Sequence, residues 1–370
     1  MATPPLKLAV LDDYLKISNH PFSTLPADQV STTIFTDTIH DEAQLIARLK
    51  PFHIISTMRE RTHFPASVLT QLPNLKLAII TGARNRTFDT AAATSAGIAV
   101  ARAIGGRYTR SSDPSAPAPA STATATLTKG PDSTTQHTWA LLLALARNVA
   151  DDDADMKRNG GWQTGLATNL SGATIGLLGL GRLGTAVARI AVLAFGMRVI
   201  VWSENLTQEK ADAAARQLGL DADLPGGGGK LFAAVSKEEL FRTSDVVSVH
   251  YVLSERSKGI IGEKELAWMK SSALLVNTSR GPLIDEKALV AALEEGRIRG
   301  AALDVYDVEP LPANSPWRSA KWGTEGRGKV VLSPHMGYVD ERTMHSWYAE
   351  IAEIVRKWLE SGEVLDQITA

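Results

Sequence analysis

The chain has 370 residues, 44% of them hydrophobic and 21% charged, with a formal net charge of -1. That length is enough for two domains with separate cores. The near-neutral balance argues against nucleic acid or an anionic membrane as the main partner, and the absence of cysteine excludes disulfides, thiolate nucleophiles and cysteine-ligated zinc. The opening MATPPLKLAVLDDYLK has no long apolar segment behind a basic one, and no run of about eighteen apolar residues occurs. Neither a secretory leader nor a membrane span is therefore expected, and a cytoplasmic protein is. No metal site is predicted.

In chain order, LKLAVLDD reads as a strand, DEAQLIARL as a helix with Leu45, Ile46 and Leu49 on one side, and FHIIST as a buried strand. PASVLTQL is a helix, LKLAIITG a strand, and TFDTAAATSAG a helix that Gly97 can end. Such alternation implies a parallel sheet covered on both faces. Residues 105–136, rich in Ser, Thr, Ala, Pro and Gly, read as a solvated insertion because they hold too little apolar surface to pack. HTWALLLALARNVADDDADMKRNGGW then reads as one long helix. From Ser171 the alternation resumes: strands ATIGLLG, RVIVW, KLFAAV, DVVSVHYV, SALLVNTS, GAALDVY and KVVLS, with helices RLGTAVARIAVLAFG, TQEKADAAARQLG, KEELFRTS and EKALVAALEEGR among them. ERTMHSWYAEIAEIVRKWLESG closes the chain as an amphipathic helix.

GLGRLG places Gly179, Gly181 and Gly184 in the GxGxxG pattern, directly after an apolar strand and opening a helix. Gly179 permits the tight turn, Gly181 lets backbone approach a pyrophosphate, and Gly184 lets helix and strand pack closely. The helix N-terminus then offers N–H groups to the anion. A dinucleotide site is expected, with NAD as the cofactor and NADP possible. Selectivity is normally read by an acid at the end of the next strand. Here that place holds Ser203, and Glu204 comes one residue late. Glu204 reaching the ribose would favour NAD, whereas Ser203, Asn205 and Thr207 donating to a 2'-phosphate would favour NADP. No arginine adjoins them in sequence to clamp that phosphate. Thr207 also reads as a helix N-cap.

Three later segments each follow an apolar strand: VNTSRGPLIDE with Arg280, GAALDVYDVEPLP with Asp304 and Glu309, and VVLSPHMGY with His335. In a parallel sheet the carboxyl ends of strands face the ligand crevice. An arginine can grip a carboxylate in a fork, a histidine can move a proton, and an acid beside that histidine orients it and favours its charged form. That set suits reduction of a 2-oxo acid.

Through GLGRLG, VNTSRGPLIDE, LDVYDVEP and SPHMGY, over nearly its whole length, the chain resembles the D-isomer-specific 2-hydroxyacid dehydrogenases, including phosphoglycerate and glyoxylate/hydroxypyruvate reductase-like members. The resemblance implies a hydride transfer between NAD(P)H and C2 of a small 2-oxo acid or D-2-hydroxy acid. It implies catalytic roles for Arg280 (substrate carboxylate and carbonyl), His335 (acid/base) and Glu309 (its partner). Arg182 and Leu183 would meet the pyrophosphate; His250, Tyr251, Val252 and Thr278 would line the cofactor cleft; Asp304 would lie near the nicotinamide carboxamide. TGARNRTFD matches the family's substrate loop, which makes Ala83 and Arg84 substrate contacts, with Arg61 a further one. A second glycine is usual where Arg84 stands. Arg59, Arg61, Arg84 and Arg86 facing the cleft would suit a second anionic group on the substrate, whereas solvation or pairing, as with Glu60, would not.

The implied fold is α/β, two doubly wound parallel-sheet domains, a Rossmann cofactor domain inserted into a flavodoxin-like substrate domain. Residues 1–137 would begin the substrate domain, 138–338 would form the cofactor domain, and 339–370 would return to the first. Family members are usually dimers through the cofactor domain, so a homodimer is expected, with HTWALLLALA contributing. The rival implication is a dinucleotide-sensing, corepressor-like binding protein with little or no turnover.

Overall fold

The structure, a computed structural model, describes residues 4–82, 85–105, 131–158 and 160–368. It divides into two compact units, Met1–Leu127 with Asp340–Ala370, and Thr128–Val339.

The first unit opens β1 (Leu6–Val10), α1 (Asn19–Ser23), β2 (Val30–Ile34), α2 (Glu42–Leu49) and β3 (Ile54–Ser56). It continues with α3 (Ala66–Leu69), β4 (Leu77–Thr81), α4 (Thr90–Ser95) and β5 (Ala99–Ala103). The strands pair in the order β2-β1-β3-β4-β5, all parallel, which is the flavodoxin-like order. Asp41 and Asp89 start α2 and α4 by accepting from the backbone N–H of Gln44 and Ala92. One face of the sheet is covered by Leu45, Leu49, Val68, Leu69 and Ala93 from these helices. The C-terminal helix Glu341–Ser361, capped by Asp340, buries Met344, Trp347, Tyr348, Ile351 and Val355, with Tyr348 edge-on to Phe22 of α1.

The second unit contains α5 (Ser133–Ala146), α6 (Val149–Arg158), β6 (Thr174–Leu178), α7 (Arg182–Phe195), β7 (Arg198–Trp202) and α8 (Gln208–Gln217). Then follow β8 (Phe232–Ala234), α9 (Lys237–Thr243), β9 (Val246–Val249), α10 (Glu263–Trp268), β10 (Leu274–Asn277), α11 (Glu286–Glu294), β11 (Gly300–Leu303) and β12 (Lys329–Leu332). The seven strands run β12-β11-β10-β9-β6-β7-β8, all parallel. Chain direction across the sheet reverses between β6 and β9, the switch point where open α/β sheets bind ligands. One face packs on Trp139, Leu142 and Leu145 of α5 with Val187, Ala188 and Ala191 of α7. The other packs on Leu240 and Phe241 of α9, Leu266 of α10, and Leu289 and Leu293 of α11. Strands buried on both sides are mostly apolar, as in β6 (TIGLL) and β9 (VVSV). The expected fold class is the one observed.

Two local expectations need correction. Ser133–Gln136 belong to α5 rather than to the insertion, because Asp132 accepts from the Thr135 N–H and starts the helix. Residues 106–130 of that insertion lie outside the described residues. The single long helix is two, broken at Asn148, whose φ is 58°. Asn tolerates the left-handed region, and here its amide donates to the Gly165 carbonyl while its oxygen accepts from Lys329. Helix α5 buries its apolar side chains beneath the sheet. Among the described residues no helix is long and apolar enough to cross a membrane.

Leu142 is fully buried, so Leu142→Ala is expected to cost about 2–5 kcal/mol in urea unfolding. Exposed Ala140 on the same helix, changed to Ser, is expected to cost within about 0.5 kcal/mol. Equal costs would contradict the placement of α5 in the core.

Candidate active site

The nucleotide loop is built by three glycines with different reasons. Gly179 leaves β6 with φ 102°, and a Cβ there would lie 2.5 Å from the His250 carbonyl oxygen. A Cβ on Gly184 would lie 2.2 Å from the Gly179 carbonyl oxygen, so α7 packs on the loop through bare backbone. Gly181 is the N-cap of α7, and nothing in the structure lies within 4 Å of where its Cβ would be. A 14-residue helix thus begins at an open position, with first-turn N–H groups that the helix itself does not use. This cradle fits a pyrophosphate. Arg182 is exposed and its guanidinium bonds Asp132 at 2.7 Å; Leu183 beside it is half-buried.

At the end of β7, Ser203 is half-buried while Glu204 and Asn205 are exposed. Thr207 is the N-cap of α8. Tyr251 stacks on Trp202 with rings 6.0 Å apart, and its hydroxyl accepts from the Glu204 N–H. Arg256, from the loop after β9, comes within 3.9 Å of the Glu204 carboxylate. No arginine adjoins these residues in sequence, but folding supplies one. Val252 is exposed. His250 bonds Ser248 through Nε2 at 2.9 Å. Thr278 is buried, its hydroxyl 2.7 Å from that of Thr138 on α5.

His335 and Glu309 meet: imidazole Nδ1 lies 2.5 Å from Glu309 Oε2. The other carboxylate oxygen of Glu309 accepts from the Tyr306 N–H at 2.9 Å, so the acid is held from two sides. His335 has φ 55°, in the left-handed region, and its ring meets Tyr338 edge-on at 5.5 Å. Arg280 follows β10, its carbonyl fixed by the Asn277 amide at 2.9 Å and its guanidinium donating to the Ser279 carbonyl. Gly281 brings this loop against the Glu309 loop, because a Cβ there would sit 2.1 Å from the Tyr306 carbonyl carbon. Asn277 and Gly281 are scaffolding that the motif reading passed over.

Asp304 is held by the protein on several sides. It is fully buried, and its carboxylate accepts from the Met336 N–H at 2.7 Å, the Gly337 N–H at 2.9 Å and His137 Nε2 at 3.0 Å. Burial pushes its carboxyl up, and the bonds from His137, Met336 and Ser333 more than reverse this, holding it below the usual range. Three protein donors thus hold the carboxylate in place. His137 was not singled out in the sequence.

In the first unit, Arg61 lies over the Tyr14 ring at 4.0 Å, and Arg59 pairs with Glu60 at 3.4 Å. Ala83 and Arg84 lie outside the described residues.

Burial pulls the His250 imidazole down to about 4, so it is neutral at physiological pH. Unfolded, it titrates near about 6.5. Between those values the unfolded chain takes up the extra proton, so stability falls as pH drops through that window. His250→Gln is expected to flatten this acid limb by about 2 kcal/mol, read as urea unfolding at about pH 5 against about pH 7. An acid limb equal to wild type would overturn the buried neutral ring.

A glyoxylate reductase of Aeropyrum pernix is 39% identical over 220 residues, 57% of this chain and 58% of the relative. A D-3-phosphoglycerate dehydrogenase of Methanocaldococcus jannaschii is 31% identical over 327 residues, 88% of this chain and 53% of the relative. The chain thus spans little more than half the length of these curated relatives. A phosphoglycerate oxidoreductase structure from Vibrio cholerae superposes with a TM-score of 0.76 at 32% identity, over 96% of this chain and 99% of that one. Residues 139–225 and 228–337 match the family model "D-isomer specific 2-hydroxyacid dehydrogenase, NAD binding domain", and the chain belongs to the D-isomer specific 2-hydroxyacid dehydrogenase family.

Proposed function

We propose that the protein interconverts a small 2-oxo acid and its D-2-hydroxy acid with NAD(P) as cofactor. The observation that carries this reading is the His335–Glu309 pair at 2.5 Å, next to the Arg280 loop, in the unit that also holds the nucleotide helix. The backbone N–H groups of Arg182 and Leu183 hold the pyrophosphate, with Gly181 leaving room for it. The nicotinamide, when bound, supplies or accepts the hydride at C2. Glu309 accepts the Nδ1 proton of His335, so Nε2 carries the proton that the substrate oxygen gains in reduction and returns in oxidation. Arg280 binds the carboxylate and polarises the adjoining carbonyl. Glu204 reads the ribose hydroxyls and favours NAD, with Arg256 paired to it. Ser203 and Asn205 stand close enough in sequence to serve NADP instead. Arg61, Ala83 and Arg84 are proposed as further substrate contacts on the strength of the family resemblance alone.

Absorbance of reduced nicotinamide, with NADH and NADPH in parallel, tests the reading against glyoxylate, hydroxypyruvate, pyruvate and a branched 2-oxo acid. NADH oxidation is expected to be the faster, and Glu204→Ala to narrow the gap. His335→Ala or Arg280→Ala is expected to lower turnover by about 100-fold or more with the fold intact. Near-normal turnover in either variant sinks these roles. A wild-type protein that binds dinucleotide, assembles with it and turns over no 2-oxo acid would be a corepressor-like sensor.

The surface after α5 supports a homodimer. Trp162 is 71% exposed and Leu166 87%, with Val149 and Met156 of α6 also exposed, a concentration of apolar surface typical of an interface. Wild type is expected to sediment as a dimer, and Trp162→Glu/Leu166→Glu as a monomer. A monomeric wild type at micromolar concentration overturns this.

A further inference from the structure

Helix α5 reaches three separate loops of the candidate site within its first two turns. Its N-cap Asp132 bonds Arg182 at the start of α7, at 2.7 Å. Thr138 bonds Thr278, two residues before Arg280, also at 2.7 Å. Between them, His137 Nε2 lies 3.0 Å from Asp304 Oδ1 and 2.9 Å from Ser333 Oγ. The same Asp304 carboxylate takes the N–H groups of Met336 and Gly337, the two residues after His335. Gly337 is pressed into the gap between Asp304 and α5: a Cβ there would be 3.1 Å from Asp304 Oδ2 and 3.3 Å from Thr134 Cγ2.

We propose that His137 is a positioning residue for the acid/base histidine: with Asp304 it clamps the 335–337 backbone so that the His335 ring faces Glu309. The inference rests on the function proposed above for His335, and it assigns His137 no contact with substrate or cofactor.

The physical reason lies in the backbone of His335. Its φ of 55° is a conformation that a non-glycine residue keeps only when its surroundings impose it. Two N–H bonds to one carboxylate impose it here. A buried carboxylate is itself tolerated only when its lone pairs are filled, and His137 fills one of them from a rigid helix. Bonds from Asp132 and Thr138 on either side of His137 fix that stretch of helix. Loss of the His137 donor leaves Asp304 under-satisfied and free to turn. The His335 loop then loses its anchor, while the nucleotide cradle at Gly179–Gly184 keeps its own.

The test compares His137→Phe, which keeps ring volume without the donor, with His137→Gln, whose side-chain amide restores one. Three readouts are taken: kcat and KM, dinucleotide Kd by tryptophan fluorescence, and the downfield proton NMR signal of the short His335–Glu309 bond, assigned by its loss in Glu309→Gln. His137→Phe is expected to lower kcat by about 10- to 100-fold, with Kd and KM changed by less than about threefold, and to broaden or erase the downfield signal. His137→Gln is expected to recover most of both. Wild-type kcat and an unchanged signal in His137→Phe overturn the proposal. So does a kcat loss with the signal intact, or one that His137→Gln does not repair. If His137→Phe does not fold, Ser333→Ala with His137→Gln carries the same readouts. The NMR signal needs no turnover, so a wild type inactive on every 2-oxo acid would sink the proposed function while leaving the clamp testable.

Discussion

A parallel sheet delivers the carboxyl end of every strand to one edge. In the Thr128–Val339 unit this constraint governs the site. β6 releases Gly179, β9 releases His250, β10 releases Arg280, β11 leads to Asp304 and Glu309, and β12 leads to His335. None of these residues need be close in sequence, because strand register sets their spacing. Reversal of strand order between β6 and β9 opens the crevice at that edge. The helices on both faces supply the apolar cover that makes five-residue strands such as β6 stable.

Within that frame, one buried charge organises the chemistry. Burying a carboxylate is costly unless donors surround it, and the donors around Asp304 come from three places: the helix α5, the residue Ser333 after β12, and the amides following His335. Satisfying the charge therefore requires these segments to be in register with one another. Glu309 is handled differently. It stays partly exposed and is aimed by the Tyr306 amide, which leaves its second oxygen for the imidazole. Two acids on one loop thus have separate work, one internal and one facing the site.

The motifs carried much of this on their surface. GLGRLG after TIGLL announced the nucleotide helix, since only glycine tolerates contacts like those that Gly179 and Gly184 make with carbonyl oxygens. Glu309 and His335 were named together and the structure joins them. The errors have physical causes. Compositional bias extended the insertion to residue 136, but a single N-cap, Asp132, started the helix earlier. One asparagine in the left-handed region broke a stretch that helical propensity alone would continue. β2, polar along one side, and the short α10 passed unnoticed because neither gives a strong periodic signal. His137 looked like an ordinary helical residue, because its partner lies 167 positions away.

By itself, the sequence determined the α/β class, the strand-helix alternation, the glycine turn and the residue types available for acid/base work. These are local properties, written in hydrophobic period and backbone tolerance. Tertiary structure alone decided which side chains share a partner: Arg256 beside Glu204, Gly281 against Tyr306, and Asp304 bonded to His137. Such pairings depend on sheet order and on the desolvation of particular charges. Both arise only when distant segments pack, and neither leaves a mark at the level of spacing.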